Sequence, residues 1–184
     1  MKIIEDCILE ELKLGKDAAL KKLFDTYYIP LCAYSVQFTD SLEVSEDIVQ
    51  EFFIRFWEKK KYNAISGKLH IYLFNAIKNA SLNYIKKERP YSLNELEELS
   101  YSPIEHIFDE EELITRRKKL HACLQQLSPQ EYKVLIAIVI ENKKYKEVAE
   151  ELGISVNSVK TYFARALKFL RTQKLLNILF LVFY

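Results

Sequence analysis

Hydroxyl, amide and cationic side chains recur at helical spacing between residues 155 and 168. Asn and Arg side chains can make bidentate hydrogen bonds to base edges of DNA, whereas Ser, Thr and Lys reach phosphate oxygens. Apolar residues of the same stretch follow three- and four-residue steps, so the polar ones would share the opposite face of one helix. The predicted contacts are Ser155, Asn157, Ser158, Lys160, Thr161, Arg165 and Lys168, and Ala164 lies on the same face.

The helix that carries these residues would be the second of two short helices joined by a tight turn, over residues 145–170. Val148, Ala149 and Leu152 line one face of the first helix. Gly153 stands where the chain must reverse, a position that favours positive φ, and Ser155 can cap the second helix. The predicted buried face of that helix is Val156, Val159, Phe163, Ala166, Leu167 and Leu170. This pattern predicts a helix-turn-helix, whose second helix enters the major groove of DNA. An ordinary helical hairpin with a solvated polar face is the alternative.

A second informative helix is predicted from Ser45 to Lys60, with an apolar stripe on one side and an acidic face on the other. The stripe is Val44, Ile48, Val49, Phe52, Phe53, Phe56 and Trp57. The reverse face is Asp47, Gln50, Glu51, Ile54 and Glu58. An acidic surface with an isoleucine at its centre suits docking of a basic partner helix, with the isoleucine as apolar anchor. A plain surface helix with one stray apolar residue fits the same pattern.

A third helix, from about Lys68 to Arg89, combines cations, amides and aromatic rings. Cations follow phosphates, rings stack on bases and amides read exposed edges, so this mixture suits single-stranded or partly melted DNA. A solvated face with a basic end that favours the helix dipole is the alternative. The candidate contacts are Lys78, Asn79, Asn83, Tyr84, Lys86 and Lys87, with Tyr72 beside them.

Charge is nearly balanced overall but unevenly placed. The 184 residues carry a net charge of +1, which argues against a free-standing nucleic-acid coat, because Lys and Arg contacts to phosphate supply most non-specific affinity. The segments 78–89 and 143–171 are basic, whereas residues 90–112 contain no Lys or Arg and eight acidic residues. Such a block predicts a solvated acidic linker between two domains.

Nothing in the composition supports catalysis. The three glycines cannot build a phosphate-cradling loop. The cysteines and histidines, which show no metal-ligand spacing, are Cys7, Cys32, Cys123, His70, His106 and His121. We therefore expect reduced thiols, no metal, no cofactor and no enzymatic activity. Charged residues interrupt the N-terminus from Lys2 onward, so no signal peptide is expected and the predicted location is the cytoplasm.

The remaining elements follow from apolar periodicity and start signals. A first helix over residues 1–14 should stop at Gly15, and Asp17 can cap a second helix that Pro30 should kink or interrupt near Tyr28. Residues 41–44 and 61–67 read as connectors, the latter as a polar loop.

A further helix should begin near Asp109 and run to Leu127. Ser128 and Glu131 flank Pro129 in a capping-box pattern, which predicts the start of a largely apolar core helix that runs to Glu141. Residues 142–144 would turn the chain into the helix-turn-helix. The apolar tail, 175–184, is shorter than the roughly 20 residues that a membrane-spanning helix needs. Packing on the second domain is favoured over presentation to a partner, because a free apolar run invites aggregation.

The order of these elements resembles the extracytoplasmic-function (ECF) sigma factors of bacterial RNA polymerase, the compact two-domain class. The likeness covers about residues 18–174, and its general look, including the apolar tail, is similar to members from Bacteroides-like bacteria. The segments that carry it are 23–31 (LFDTYYIPL), 45–57 (SEDIVQEFFIRFW), 69–87 (LHIYLFNAIKNASLNYIKK), 127–137 (LSPQEYKVLIA) and the helix-turn-helix. Two positions depart from the family pattern. Many members have a glycine-containing turn where this chain has residues 142–144, and many have a polar residue where it has Ala164.

The resemblance implies an all-α fold of two small domains. Residues 1–89 would be sigma region two, 90–112 an acidic linker, 113–174 sigma region four and 175–184 the tail. Asp47, Gln50, Glu51 and Ile54 would bind the clamp helices of the polymerase β′ subunit, and the β flap would be a further contact. Residues 61–67 and the third helix would melt the −10 element and capture an extruded base, and the last helix would read the −35 element. The family usually has an anti-sigma factor as partner, and no small-molecule substrate is implied.

Two other functions fit parts of the pattern. A stand-alone helix-turn-helix repressor or activator would need a dimer and a pseudo-palindromic site. A helical interaction protein without DNA contact would use the tail and the acidic face, and would tolerate Arg165→Ala and Lys168→Ala.

Overall fold

The computed structural model describes residues 2–88, 110–173, 175, 176 and 179. These residues form eight α-helices, one 3₁₀ turn and no strand, which confirms the predicted all-α fold. The chain divides into two compact units, Met1–Glu105 and His106–Tyr184. The predicted domain boundaries stay predictions, since all but the last three residues of the acidic segment 90–112 lie outside the described residues.

The first unit contains helices α1 (Lys2–Lys13), α2 (Asp17–Thr39), α3 (Leu42–Glu58) and α4 (Leu69–Glu88), with the 3₁₀ turn (Lys61–Ala64) between α3 and α4. The long helix α2 is central: α1, α3 and α4 all pack against it. Its buried side therefore holds together the two helices that carry the candidate contacts.

Aromatic rings fill much of this core. The ring of Tyr34 in α2 meets those of Phe38 and Phe74 edge-on, at centroid distances of 5.4 and 5.0 Å. Phe56 in α3 packs on Phe52 and on Tyr62 of the 3₁₀ turn, at 5.5 and 5.7 Å. Such pairs each contribute about 0.5–1.5 kcal/mol beyond the burial of their area, so the ring cluster fixes how α2, α3 and α4 meet.

Helix α2 continues through Pro30 without a break, so of the predicted kink or interruption near Tyr28 the interruption is wrong, while the kink stays a prediction. Proline inside a helix costs about 3 kcal/mol. Here Pro30 is itself buried, and the fully buried Leu31 and Tyr34 follow it in the core. Their packing offsets the cost, because both halves of the helix must face the same core. Asp17 is the first helical residue rather than the cap, a position that Lys16 occupies.

Helix α3 begins at Leu42, three residues earlier than predicted, because Ser41, predicted to lie in a connector, caps it. The backbone N–H of Val44 donates to Ser41 Oγ at 3.3 Å. Ser45 is instead fully buried, and its hydroxyl lies 2.7 Å from Thr39 Oγ1. Two serines of equal capping propensity stand in this stretch, and packing decides between them.

The second unit contains helices α5 (Glu110–Leu124), α6 (Pro129–Val139), α7 (Tyr145–Leu152) and α8 (Val156–Thr172). Helices α6, α7 and α8 pack on one another. The predicted capping box is confirmed: the N–H of Glu131 donates to Ser128 Oγ at 3.3 Å, and the N–H of Ser128 donates to the Glu131 carboxylate at 3.0 Å.

Helix α6 is the core element of this unit, as predicted, with Val134, Leu135 and Ile138 fully buried. The tail is described at three positions, Leu175, Leu176 and Leu179, and all three are buried. These positions favour a packed tail over an exposed one, and the other tail residues lie outside the described part of the chain. No helix among the described residues combines the length and apolar character that crossing a bilayer requires.

Candidate docking face and nucleic-acid interface

Helix α3 presents four of the predicted contacts on one exposed face, which we call the docking face: Asp47, Gln50, Glu51 and Ile54. They follow three- and four-residue steps, so they lie side by side along the helix. Ile54 is 58% exposed and lies beside the two carboxylates of this face. On the opposite side Val49, Phe52, Phe53 and Phe56 are buried as predicted, whereas Val44, Ile48 and Trp57 are only half-buried.

Two neighbours orient the polar side chains of the docking face. Gln50 Nε2 donates to the hydroxyl of Tyr28 in α2 at 3.1 Å. Burial raises the pKa of the Tyr28 phenol well above its usual range, so this partner stays protonated. Glu51 pairs with Arg55 at 2.5 Å across one helical turn. Both members of that pair are more than half exposed, so it steers the carboxylate and adds little stability.

The docking face borders an open groove of about 710 Å³ between α2 and α3. Its apolar wall is Leu20, Phe24, Tyr28, Phe53, Ile54 and Trp57. The rings of Phe24 and Tyr28 stack at a centroid distance of 4.5 Å, and Phe24 meets Phe53 at 5.1 Å. A concave apolar surface beside an exposed isoleucine and carboxylates can accept a partner helix with an apolar stripe and basic flanks.

The contribution of α2 to this surface was not anticipated from the sequence. Leu20, Phe24 and Tyr28 recur every four residues, and that spacing was a signal for a second, half-exposed ridge on the helix. The spacing alone places them on α2 and does not place α2 beside Gln50, which lies 22 residues further along the chain than Tyr28.

The segment predicted as a polar loop, residues 61–67, is more ordered than expected. It contains the 3₁₀ turn, and two of its side chains, Tyr62 and Ile65, are buried. The ring of Tyr62 packs on Trp57 at 5.7 Å, and Lys13 Nζ donates to the carbonyl of Ile65 at 3.4 Å. These anchors leave Asn63, Ala64 and Ser66 exposed on a supported turn.

Helix α4 places most of its predicted contacts on one exposed face. Asn79, Asn83, Lys86 and Lys87 are exposed, Tyr84 is exposed to 36%, and Lys78 is half-buried. Tyr72 points partly inward, with its ring 6.1 Å from that of Phe56, and burial raises its pKa. The candidate surface therefore runs along the C-terminal half of α4 and combines two amides with two cations.

In the second unit the helix-turn-helix has the predicted geometry at its turn. Gly153 adopts the left-handed conformation with φ +63°, and the N–H of Ser158 donates to Ser155 Oγ at 3.0 Å. Within α8 the predicted buried residues Val159, Phe163, Ala166, Leu167 and Leu170 are all buried. The sixth, Val156, is 39% exposed, so that part of the prediction is wrong. Periodicity places Val156 on the buried side, but as the first residue of the helix it has no preceding turn to cover it.

The opposite side of α8, which we call the reading face, is largely exposed. Asn157, Thr161, Arg165 and Lys168 are exposed together with Ser155, and Ser158, Lys160 and Ala164 are half-buried.

Several reading-face side chains already have partners within the unit. The hydroxyls of Ser155 and Ser158 lie 2.9 Å apart at the helix start, and Thr161 Oγ1 donates to the carbonyl of Asn157 at 2.9 Å. Lys160 Nζ lies 5.4 Å from the centroid of the Tyr145 ring. Base-edge recognition is therefore best served by the amide of Asn157 and the guanidinium of Arg165.

The turn before the helix-turn-helix works without glycine. Asn142 takes φ +52°, a conformation that Asn tolerates better than most residues. Lys143 then pairs with Glu141 at 2.7 Å and with Glu151 of α7 at 2.5 Å. The hydrogen bond to Glu141, and then that to Glu151, raises the pKa of Lys143 to about 12. The pair with Glu151 connects the turn to α7.

Two family models match the chain. The model for Sigma-70 region 2 matches residues 23–91, and the model for Sigma-70, region 4 matches residues 117–170. Together the two segments cover about two thirds of the chain, and they contain α3, α4 and the helix-turn-helix.

The chain is also similar in sequence to curated sigma factors. The chain is 28% identical over 176 residues to the ECF RNA polymerase sigma factor SigG of Mycobacterium tuberculosis, with 82% of this chain and 47% of that protein covered. It therefore spans about half the length of that relative. To the ECF RNA polymerase sigma factor SigW of Bacillus subtilis it is 27% identical, with 90% of this chain and 94% of SigW covered. To the RNA polymerase sigma factor YlaC of Bacillus subtilis it is 23% identical, with 80% and 87% covered.

Proposed function

We propose that this chain is a sigma factor of the extracytoplasmic-function class that binds core RNA polymerase, directs it to specific promoters and helps to melt the −10 element. The observation that carries this proposal is the pairing of two surfaces in one chain. The exposed docking face lies in the segment similar to region 2, and the reading face lies in the segment similar to region 4.

The docking face is proposed to bind the clamp helices of the polymerase β′ subunit. Asp47 and Glu51 would attract a basic helix, Ile54 would be buried as its apolar anchor, and Gln50 would add a hydrogen bond from a side chain that Tyr28 already orients. The second unit would contact the β flap. We also propose that an anti-sigma factor covers one of these surfaces in the resting cell.

Melting of the −10 element is assigned to the supported turn over residues 61–67 and to α4. Unstacking a base costs free energy, which stacking and edge contacts in a protein site offset. Asn79 and Asn83 can read exposed edges, and Lys86 and Lys87 can follow the phosphates of the opened strand. Lys78 and Tyr84, which are less exposed, would support these contacts.

The reading face is assigned to the −35 element. Arg165 and Asn157 would contact base edges, while Ser155, Ser158, Lys160, Thr161 and Lys168 would contact phosphates.

Charge explains why a large partner is needed. With a net charge of +1, the chain lacks the excess of cations that tight binding to duplex DNA requires. Core polymerase would hold both units in register on one promoter, and the second contact would then form at a high effective concentration. We therefore expect weak promoter binding by the free chain and tight binding by the holoenzyme.

A stand-alone helix-turn-helix regulator does not account for the first unit. The match of residues 23–91 to Sigma-70 region 2 contradicts that alternative. We further propose that the chain acts in the cytoplasm, where the polymerase works, and that it is related to members of the Bacteroides-like type.

The test is transcription in vitro with purified core polymerase and genomic promoter fragments. The proposal predicts that the chain co-elutes with core and that defined transcripts appear only when both are present. Failure of core to retain the chain, or transcription that is the same without it, would contradict the proposal.

A further inference from the structure

Tyr145 and Lys160 meet at the junction of the two helices of the helix-turn-helix. Tyr145 is the first residue of α7, and Lys160 lies one turn into α8. The ammonium nitrogen of Lys160 is 5.4 Å from the centroid of the Tyr145 ring. The same ring packs on the fully buried Phe163 at a centroid distance of 6.1 Å. One aromatic side chain therefore contacts both the core and a cation of the reading face.

This contact restricts a side chain that would otherwise sample many rotamers. Lysine has a flexible four-carbon stem, and an ammonium group near an aromatic ring is attracted by the ring quadrupole. Because the ring packs on Phe163 within the unit, its contact with Lys160 restrains the ammonium group relative to α7 as well as to α8.

The location of the Tyr145–Lys160 contact suits a phosphate, whereas the location of Arg165 suits a base edge. In a helix-turn-helix the first helix crosses the DNA backbone while the second lies in the groove. A cation held at the start of the first helix is placed beside the backbone. Arg165 lies on α8 five residues beyond Lys160 and is exposed along the groove-facing helix.

We propose that Tyr145 is a positioning residue that holds the ammonium group of Lys160 at this junction for one phosphate of the −35 element. The proposal rests on the proposed function, since it requires that the holoenzyme bind a −35 element through α8. It assigns Lys160 a sequence-independent contact and gives Tyr145 a role beyond core packing.

The salt dependence of promoter binding by the holoenzyme provides the first test. Lys160→Met should reduce the magnitude of the negative slope of log K, the logarithm of the association constant, against log salt concentration by about one, because one counterion is no longer released. Tyr145→Leu should weaken binding about two- to fivefold and reduce the slope in the same direction. Tyr145→Phe keeps the ring and should retain the wild-type affinity and salt slope. The double variant Tyr145→Leu/Lys160→Met should match Lys160→Met alone.

Ring electronics provide a second test that does not depend on the stability of Tyr145→Leu. Fluorinated phenylalanines at position 145 keep the ring and weaken its quadrupole stepwise. Promoter affinity should fall with each added fluorine while the melting temperature of the chain stays constant. As a control, Lys168→Met removes an exposed cation of the same helix and should leave the response to fluorination intact.

Three results would overturn the proposal. They are an unchanged salt slope in Tyr145→Leu, additive effects in the double variant, or equal affinity for all ring derivatives. A wild-type holoenzyme that fails to bind any promoter would instead contradict the proposed function, so the two failures are distinguishable.

Discussion

The docking face on α3 and the reading face on α8 differ in how their side chains are tied to the fold. On α3, Asp47 and Ile54 project from a helix whose stability comes from the buried opposite side. At the start of α8, the hydroxyl of Ser155 caps the helix and hydrogen-bonds with the hydroxyl of Ser158, and both serines are also candidate DNA contacts. Substitutions should therefore separate function from folding on α3, but mix the two at the start of α8.

The largest effect is expected from charge reversal on the docking face. Asp47→Lys/Glu51→Lys should abolish detectable binding to core polymerase, because two attractive contacts become repulsive. The free energy of unfolding should change by no more than about 0.5 kcal/mol, as is usual at exposed positions. Co-elution with core and thermal unfolding of the free chain measure the two quantities. The matched control, Asp6→Lys/Glu10→Lys on exposed positions of α1, makes the same charge change in the same unit and should bind normally.

Removal of the apolar anchor should have the next largest effect. Ile54→Ala should weaken binding to core roughly tenfold, since a side chain buried at the centre of an interface contributes about 1–2 kcal/mol. Leu14, which is 74% exposed and lies at the end of α1, serves as the control for loss of an exposed apolar residue. Equal binding to core by Ile54→Ala and Leu14→Ala in a competition assay would show that Ile54 is not part of the interface.

A pair of substitutions on α8 tests whether its start serves both folding and binding. Ser155→Ala should cost about 1 kcal/mol of stability through loss of the cap, and promoter binding by the holoenzyme should fall with it. Arg165→Ala should weaken specific binding about tenfold at unchanged stability, because the guanidinium contacts bases only in the complex. Thermal unfolding and promoter binding must be measured on both variants. If Arg165→Ala destabilised the chain as much as Ser155→Ala, the distinction between the two positions would be lost.

The smallest effect concerns the turn that precedes the helix-turn-helix. The pKa of Lys143 is raised to about 12 in the folded chain, from an ordinary value of 10.5. Its pairing with Glu141 and Glu151 therefore stabilises the fold fully below pH 10.5, and this contribution is lost as the pH rises through 12. The melting temperature of the wild type should fall slightly more steeply over this interval than that of Lys143→Met. Lys133→Met, at an exposed position of α6, should follow the wild type.

Features set by neighbours in the chain were predictable from the sequence. The capping box of Ser128 and Glu131 and the left-handed turn at Gly153 depend on a few adjacent residues, and both are confirmed. The exposed face of α3 also followed from periodicity, since its buried side is mostly aromatic and aliphatic.

Features set by distant packing were not predictable in this way. Pro30 stays inside an unbroken helix because the core on both sides of it demands one. Phe74 is 2% exposed because it meets Tyr34 of α2, a contact between two helices that spacing along α4 does not reveal. The contacts of Tyr28 with Gln50 and of Tyr145 with Lys160 join different helices, and helical spacing carries no information on such pairs. The roles of all the site residues remain predictions until the variants above are measured.

Promoter binding measured with and without core polymerase tests the central claim most directly. A labelled promoter fragment is titrated with the free chain and with the reconstituted holoenzyme at a salt concentration near 0.15 M, which is physiological. We predict weak binding by the free chain and sequence-specific binding at least about 100-fold tighter by the holoenzyme, as expected when a partner holds two weak modules on one ligand. Tight, salt-sensitive binding by the free chain that core polymerase does not improve would contradict this account.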